Sequence, residues 1–134
     1  MVKILIADDD INIIRLLRLT LPESYEILQA TDGDETFEKA EMHVPSLILL
    51  DINMPRLNGF EVLRKVRQSP KLKKTRVIVI TARSDEADRN LAMQLEADAY
   101  FAKPFSPLSL LQTVSQLLGE EETMSETIEQ GNDG

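Results

Sequence analysis

The sequence contains no cysteine. Neither a disulfide framework nor a thiolate metal site can form, which fits a reducing compartment. No hydrophobic run approaches the roughly 18 residues of a membrane span. Met1-Val2-Lys3-Ile4 meets a charge too soon to open a secretory signal. A cytoplasmic protein with no membrane contact is therefore expected. Positive charge is also scarce: 15 Lys and Arg face 23 Asp and Glu, for a net charge of −8. The imbalance sits at one end. Segment 119–134 carries Glu120, Glu121, Glu122, Glu126, Glu129 and Asp133 and no Lys or Arg, so setting these six acids aside takes −8 to −2. The nearly neutral remainder lacks the basic footprint of a nucleic-acid binder, and direct contact with nucleic acid is not expected. One basic cluster, Arg64, Lys65, Arg67, Lys71, Lys73, Lys74 and Arg76, reads as a solvated helix face and loop.

What is present suits a single domain. The 134 residues, 43% of them hydrophobic, can bury one real core but not two. Leu47-Ile48-Leu49-Leu50 is an unbroken apolar run, the pattern of a strand buried on both faces. It stops on Asp51. Packing gives no reason for a carboxylate there, so Asp51 is expected at the carboxyl edge of a sheet, where ligands bind in open α/β folds. Taken alone, Asp51 is as well explained as a cap or turn after a strand. The rest of the chain decides between the two.

Lys3–Ala7 is a short apolar strand ending on Asp8-Asp9-Asp10. Ile11, Ile14, Leu17 and Leu21 then recur at helical spacing, with Asp10 as N-cap and Pro22 as the stop. Tyr25–Ala30 reads as a second strand. Asp32-Gly33-Asp34-Glu35 resembles a capping box opening a helix to about His43. After Pro45 comes the Leu47–Leu50 strand, and the loop at Met54-Pro55 leads to Asn58-Gly59, which starts a helix to about Gln68. Pro70 ends it. Arg76–Ile80 is a fourth strand that ends on Thr81. Ser84 is expected to cap the next helix, with Asp85 and Glu86 in its first turn. Asp98–Ala102 is a fifth strand, ending on Lys103-Pro104. Ser106-Pro107 caps a last helix that Gly119 terminates near Leu118.

Strand and helix alternate five times. That order implies parallel strands, right-handed crossovers and helices on both faces. The chain thus divides into a folded domain over 1–118 and an acidic tail or linker start over 119–134, whose composition predicts disorder. In such a sheet the residues ending the strands share one edge: Asp8 and Asp9, Asp51, Thr81 and Lys103. Three carboxylates within a few ångströms repel by something on the order of kcal/mol each at an effective dielectric of ~20. A cation must answer them. A hard divalent ion takes oxygen ligands of this kind, and Mg2+ keeps waters beside one or two carboxylates. Lys103 adds a fixed positive charge and Thr81 a hydroxyl donor. This set suits an anionic tetrahedral group held over Asp51, since carboxylate nucleophiles form aspartyl phosphates and phosphoryl transfer needs mainly alignment and charge neutralisation.

Four motifs carry a family resemblance: Ile4-Leu5-Ile6-Ala7-Asp8-Asp9; Leu50-Asp51-Ile52-Asn53-Met54-Pro55 followed by Gly59; Val79-Ile80-Thr81-Ala82; and Tyr100-Phe101-Ala102-Lys103-Pro104-Phe105. From Val2 to about Leu118 the chain resembles the receiver domains of two-component response regulators. It is similar to single-domain receivers of the chemotaxis type. The resemblance implies a three-layer, doubly wound, flavodoxin-like α/β fold with five parallel strands in the order 2-1-3-4-5. It implies that Asp51 accepts a phosphoryl group from a sensor histidine kinase or phosphotransfer protein. Asp9 and Asp51 would bind Mg2+ directly, with the Asn53 backbone carbonyl, and Asp8 through water. Thr81 and Lys103 would bind phosphoryl oxygens, Tyr100 would be an aromatic switch following Thr81, and Lys103-Pro104 would be cis. Output would pass to a protein partner through the face of the fourth helix, fifth strand and fifth helix, from a monomer or a weak phosphorylation-dependent dimer.

Two stretches depart from the family pattern. Gly-Ala-Asp before the fifth strand is here Glu96-Ala97-Asp98, and a left-handed cap at Glu96 costs roughly 1 kcal/mol against glycine. From Phe105 to Gly119 there is no charged residue, which argues against an ionic dimer through that helix. Other functions remain open at this point. One is a receiver fragment of a larger multidomain regulator. A second is a Mg2+-dependent phosphohydrolase with an aspartyl-phosphate intermediate; those similar to haloacid dehalogenases carry a second Asp where this chain has Asn53. A flavin carrier on the same fold would need a Ser/Thr/Gly-rich phosphate loop where this chain has Asp8-Asp9.

Overall fold

A computed structural model of the protein describes residues 1–54, 58–82 and 85–119. Across these residues five strands, β1 (Lys3–Ala7), β2 (Glu26–Ala30), β3 (Leu47–Leu50), β4 (Arg76–Thr81) and β5 (Ala99–Ala102), alternate with five helices. These are α1 (Ile11–Thr20), α2 (Gly33–His43), α3 (Gly59–Gln68), α4 (Glu86–Gln94) and α5 (Pro107–Leu118), with a 3-10 turn at Pro70–Leu72. All strands pair in parallel, in the order β2-β1-β3-β4-β5. The expected ends at Tyr25 and Asp98 each move one residue inward. Three expectations, the turn at Pro55, the cap at Ser84 and the tail beyond Gly119, fall outside the described residues.

The layers follow from side-chain alternation, which has a period of two along a strand. Leu5 and Ala7, Ile48 and Leu50, and Val77 and Val79 share a cluster with Ala40 of α2, Val62, Leu63 and Val66 of α3, and Ala92 of α4. Ile4 and Ile6, Leu47 and Leu49, and Ile78 and Ile80 pack instead with Ile14 and Leu17 of α1 and Leu110 and Val114 of α5. Both faces of the central strands are covered, which is why they read as continuous apolar runs rather than as alternation. Each fully buried Leu or Ile contributes about 1.5–3 kcal/mol of transfer free energy, so the two clusters hold the sheet rigid.

Short polar residues start the helices as their chemistry predicts. Side-chain oxygens of Asp10, Asp32, Asn58 and Ser106 accept from the backbone N–H groups of Asn12, Glu35, Glu61 and Ser109. The Glu35 carboxylate reaches back to the Thr31 N–H at 2.8 Å. Pro107 opens α5, and Gly119 closes it at φ 80. The cap of α4 is Asp85, whose carboxylate accepts from the Asp88 N–H at 2.9 Å.

The other end of α4 has the left-handed cap at Glu96 that the missing glycine makes costly. The Glu96 N–H donates to the Met93 carbonyl and the Ala97 N–H to the Ala92 carbonyl, both at 3.0 Å. That pair of bonds is a Schellman close, which places the intervening residue in the left-handed region. Glu96 accordingly has φ 71, without glycine's freedom from a Cβ penalty. Glu96→Gly should therefore stabilise the fold by about 0.5–1 kcal/mol, part of the gain being offset by glycine's larger unfolded-state entropy. Urea melts at unchanged slope check this, and a loss of stability contradicts it. A second left-handed residue, Val44 at φ 45, ends α2 just before Pro45. Nothing in its β-branched side chain favours that conformation.

Candidate functional site

The sheet register assembles the site. Ala7 lies opposite Leu50, and the Asp51 N–H donates to the Ala7 carbonyl at 2.9 Å. Asp8 and Asp51, each one residue beyond its strand, are thereby neighbours on the same edge. Thr81 lies opposite Ala102, and the Lys103 N–H donates to the Thr81 carbonyl at 2.8 Å. That bond turns Lys103 onto the same edge from the far side of β4. Its Nζ donates to Asp8 Oδ2 at 2.8 Å and to Asp51 Oδ2 at 3.2 Å. The second oxygens are held by the local backbone: Asp8 Oδ1 accepts from the Asp10 N–H and Asp51 Oδ1 from the Asn53 N–H, each at 2.9 Å.

Asp8 and Asp51 are buried and Asp9 is exposed, and carboxylate oxygens of all three lie within 4.8 Å of one another. Burial pushes the Asp8 carboxyl above the ordinary aspartate range, and the charge of Asp51 adds to this. The hydrogen bonds from Lys103 and the Asp10 N–H pull the other way without cancelling it. Burial also works against the Lys103 ammonium, but its hydrogen bond to Asp8 and the charges of Asp8 and Asp51 outweigh that, and its pKa is raised. One ammonium thus faces three carboxylates, and the donor set is all oxygen. It fits a hard divalent cation, for which carboxylates and water are the preferred ligands.

The structure brings together Asp8, Asp9, Asp51 and Lys103. Thr81, fully buried, ends β4 one bond away through its carbonyl. Asn53 is exposed on the loop after Asp51 and touches the site through its N–H. Tyr100 stands apart on β5, opposite Val79, half-buried against the cluster shared with α4. The Lys103-Pro104 peptide is cis, as the resemblance implied.

Some contributors were not expected. Arg89 of α4 lies over the Tyr100 ring, 5.6 Å from its centroid; no spacing rule along the chain announces a contact between α4 and β5. Arg67, placed in the solvated basic cluster, is instead committed inward. It donates to the carbonyls of Thr75 and Glu96 and to Asp98 Oδ2, which also accepts from the Val77 N–H. Gly59 proves to be a packing requirement as well as a turn residue, because a Cβ there would lie 2.3 Å from Ile52 Cα.

A doubly wound α/β domain with a lysine-bridged acidic cluster at the carboxyl ends of its strands is the class that fold and site define. The family model for the response regulator receiver domain matches residues 4–115. The chain belongs to the response regulator receiver domain family. It is 38% identical over 132 residues to the alkaline phosphatase synthesis transcriptional regulatory protein PhoP of Bacillus subtilis, covering 98% of this chain and 54% of that protein. It is 40% identical over 129 residues to the transcriptional regulatory protein SrrA of Staphylococcus aureus, covering 96% and 52%. The chain spans about half the length of these curated relatives. Among solved structures, a CheY-like receiver domain protein from Methanospirillum hungatei superposes with a TM-score of 0.83 at 30% identity, over 92% of this chain and 98% of that one. No helix among the described residues is long and apolar enough to cross a membrane.

Proposed function

We propose that this receiver takes a phosphoryl group onto Asp51 Oδ2 from a phosphohistidine of a sensor kinase or phosphotransfer protein in the cytoplasm. The histidine N–P bond breaks as the aspartyl O–P bond forms. The observation that carries this reading is Lys103 Nζ bridging Asp8 and Asp51 at 2.8 and 3.2 Å. An ammonium so placed neutralises oxygens of a group arriving on Asp51, and the Thr81 hydroxyl would serve a second oxygen. Asp9, Asp51 and the Asn53 carbonyl would hold Mg2+, with Asp8 acting through water. When bound, the ion supplies further neutralisation of the phosphoryl oxygens. Asn53 offers an amide two residues after Asp51, where a phosphohydrolase of the haloacid-dehalogenase kind would carry an acid, so turnover of outside phosphate esters is not expected. Mapping the acyl phosphate after exposure to acetyl phosphate and Mg2+, by borohydride reduction and mass spectrometry, tests the assignment. Label on a residue other than Asp51 would sink it.

Metal binding should depend on pH with a definite sign. Asp8 takes up its proton above the ordinary aspartate range, because burial disfavours its carboxylate. Protons therefore compete with Mg2+ already above the ordinary aspartate range, and affinity should fall as pH drops toward that range. Asp9→Ala should abolish binding, which is weak because few protein ligands reach the ion. Titration of Mg2+ across a pH series checks both statements. Affinity that is flat from neutral pH to the ordinary aspartate range would remove Asp8 from the ion's surroundings.

Output is assigned to the α4–β5–α5 face, with Thr81 and Tyr100 as the two-state element between Asp51 and that surface. Arg89 over the Tyr100 ring adds a contact that any inward turn of the ring would have to break. Along α5, Leu108, Ser109, Gln112 and Gln116 are exposed, whereas Thr113 and Ser115 are half-buried. This helix surface recognises a partner by shape, hydrogen bonds and apolar burial, with little dependence on salt.

A further inference from the structure

We propose that Arg89 is a positioning residue for the switch. Its guanidinium holds the Tyr100 ring away from Thr81 in the unphosphorylated protein, and so sets how readily Asp51 is loaded. This role rests on the reading of Thr81 and Tyr100 as the two-state element. The guanidinium carbon lies 5.6 Å from the ring centroid, within the range at which a cation is attracted to an aromatic face. Nothing else among the described residues accounts for a cation there. Arg89 is exposed and stands early in α4, at the end where the helix dipole favours acids over bases. Among the described residues it lies within ion-pair distance of no carboxylate. Asp85, one turn before it, is held in the cap by the Asp88 N–H.

The sheet register shows what the contact opposes. Tyr100 lies opposite Val79, and Thr81, two residues further along β4, lies opposite Ala102. Residues two apart on a strand point to one face, and Val79 and Tyr100 join the cluster on the α4 side. Thr81 and Ala102 therefore face that side as well, one step nearer the Asp51 edge. Ala102 is exposed and carries only a methyl group, so no large side chain on β5 bars the ring from that end of the strand. What favours the ring's present place is the contact it makes with α4. A cation–π pair at an exposed site weights that place by about two- to five-fold. A ligand of Asp51 that requires the inward ring then binds more weakly by the same factor, because its apparent affinity scales with the competent fraction.

Beryllofluoride, a phosphoryl mimic, reads this equilibrium without covalent turnover. At fixed Mg2+ and fluoride, Arg89→Gln should bind it about two- to five-fold more tightly than the wild type does. Loss of a positive charge by itself weakens the binding of an anion, so tightening has the opposite sign to a plain charge effect. Arg89→Lys keeps a cation, on a more strongly hydrated head, and should fall between the two. In a Tyr100→Leu background Arg89→Gln should change nothing, since the two residues then have no interaction to lose. Fluorine NMR of protein carrying 3-fluorotyrosine follows the ring itself. The chain has two tyrosines, and the buried Tyr25 serves as the reference. A Tyr100 signal that ignores beryllofluoride in the wild type would overturn the switch and Arg89's role with it. A Tyr100 signal that responds, with unchanged or weaker binding in Arg89→Gln, would overturn the role of Arg89 alone. Tightening that persists in the Tyr100→Leu background would do the same.

Discussion

Asp51→Asn is expected to abolish acyl-phosphate formation while leaving the fold intact. The amide has no oxygen that can act as the nucleophile at neutral pH, so label from acetyl phosphate should fall below detection rather than decline by degrees. Asparagine nevertheless keeps an oxygen where Asp51 Oδ1 accepts from the Asn53 N–H, so the loop retains its local bond. Lys103 keeps its shorter contact, to Asp8, and remains paired. Two other carboxylates lie within 4.8 Å, and they are the serious competitors. Asp8 is the poorer acceptor of the two buried acids: it is 2% exposed against 5% for Asp51 and is held more tightly by the lysine. Asp9 is exposed and has no contact with Lys103 among the described residues. Labelling followed by borohydride trapping, alongside a urea melt of the variant, separates chemistry from folding. Undiminished label in a folded Asp51→Asn protein would place the acceptor at one of these neighbours.

The parts of the molecule that could be read from sequence are those governed by local chemistry. Asp10, Asp32, Asn58 and Ser106 cap helices because a short side-chain oxygen satisfies a free N–H two or three residues on, whatever the tertiary setting. Leu47–Leu50 could be read as doubly buried because four consecutive apolar residues leave no solvent face. The site was legible for a geometric reason. Once strands are parallel, residues just past their ends must share an edge, and register then places Asp8, Asp51 and Lys103 together. What escaped depends on contacts between distant segments. Arg67 looked like any basic residue on an exposed helix until Asp98, Thr75 and Glu96 surrounded it. Asp85, expected within the first turn of α4, is instead the residue that caps it, a shift of one residue in helix phase. Val44 takes its left-handed conformation where α2 gives way to β3 within three residues, and Pro45 after it disfavours a continued right-handed helix.

Gly59→Ala is expected to destabilise the domain strongly for a single added methyl group. Gly59 opens α3, and its N–H donates to the Ile52 carbonyl at 3.1 Å. A Cβ at this position would sit 2.3 Å from Ile52 Cα, 2.8 Å from Ile52 Cγ2 and 2.9 Å from the Asp51 carbonyl oxygen. The worst of these are backbone atoms, which cannot swing aside as a side-chain tip can. Ile52 is itself 2% exposed and belongs to the same buried cluster as Val62, Leu63 and Leu50, so the strain has no outlet toward solvent. Overpacking usually costs about 1–3 kcal/mol, and a backbone clash this close belongs at the upper end. At an ordinary slope that lowers the urea midpoint by roughly 1–2 M. The effect should reach the chemistry too. Relief requires the start of α3 or the Asp51–Asn53 turn to move, and the second choice pulls Asp51 Oδ1 from the Asn53 N–H and Oδ2 from Lys103. Phosphoryl uptake at Asp51 should therefore fall even at temperatures where the variant is fully folded, whereas Glu96→Gly, at the far edge of the sheet, should leave uptake unchanged. An unaltered urea midpoint for Gly59→Ala would mean that α3 can back away from β3 freely, and that the close approach of the two is not what positions Asp51.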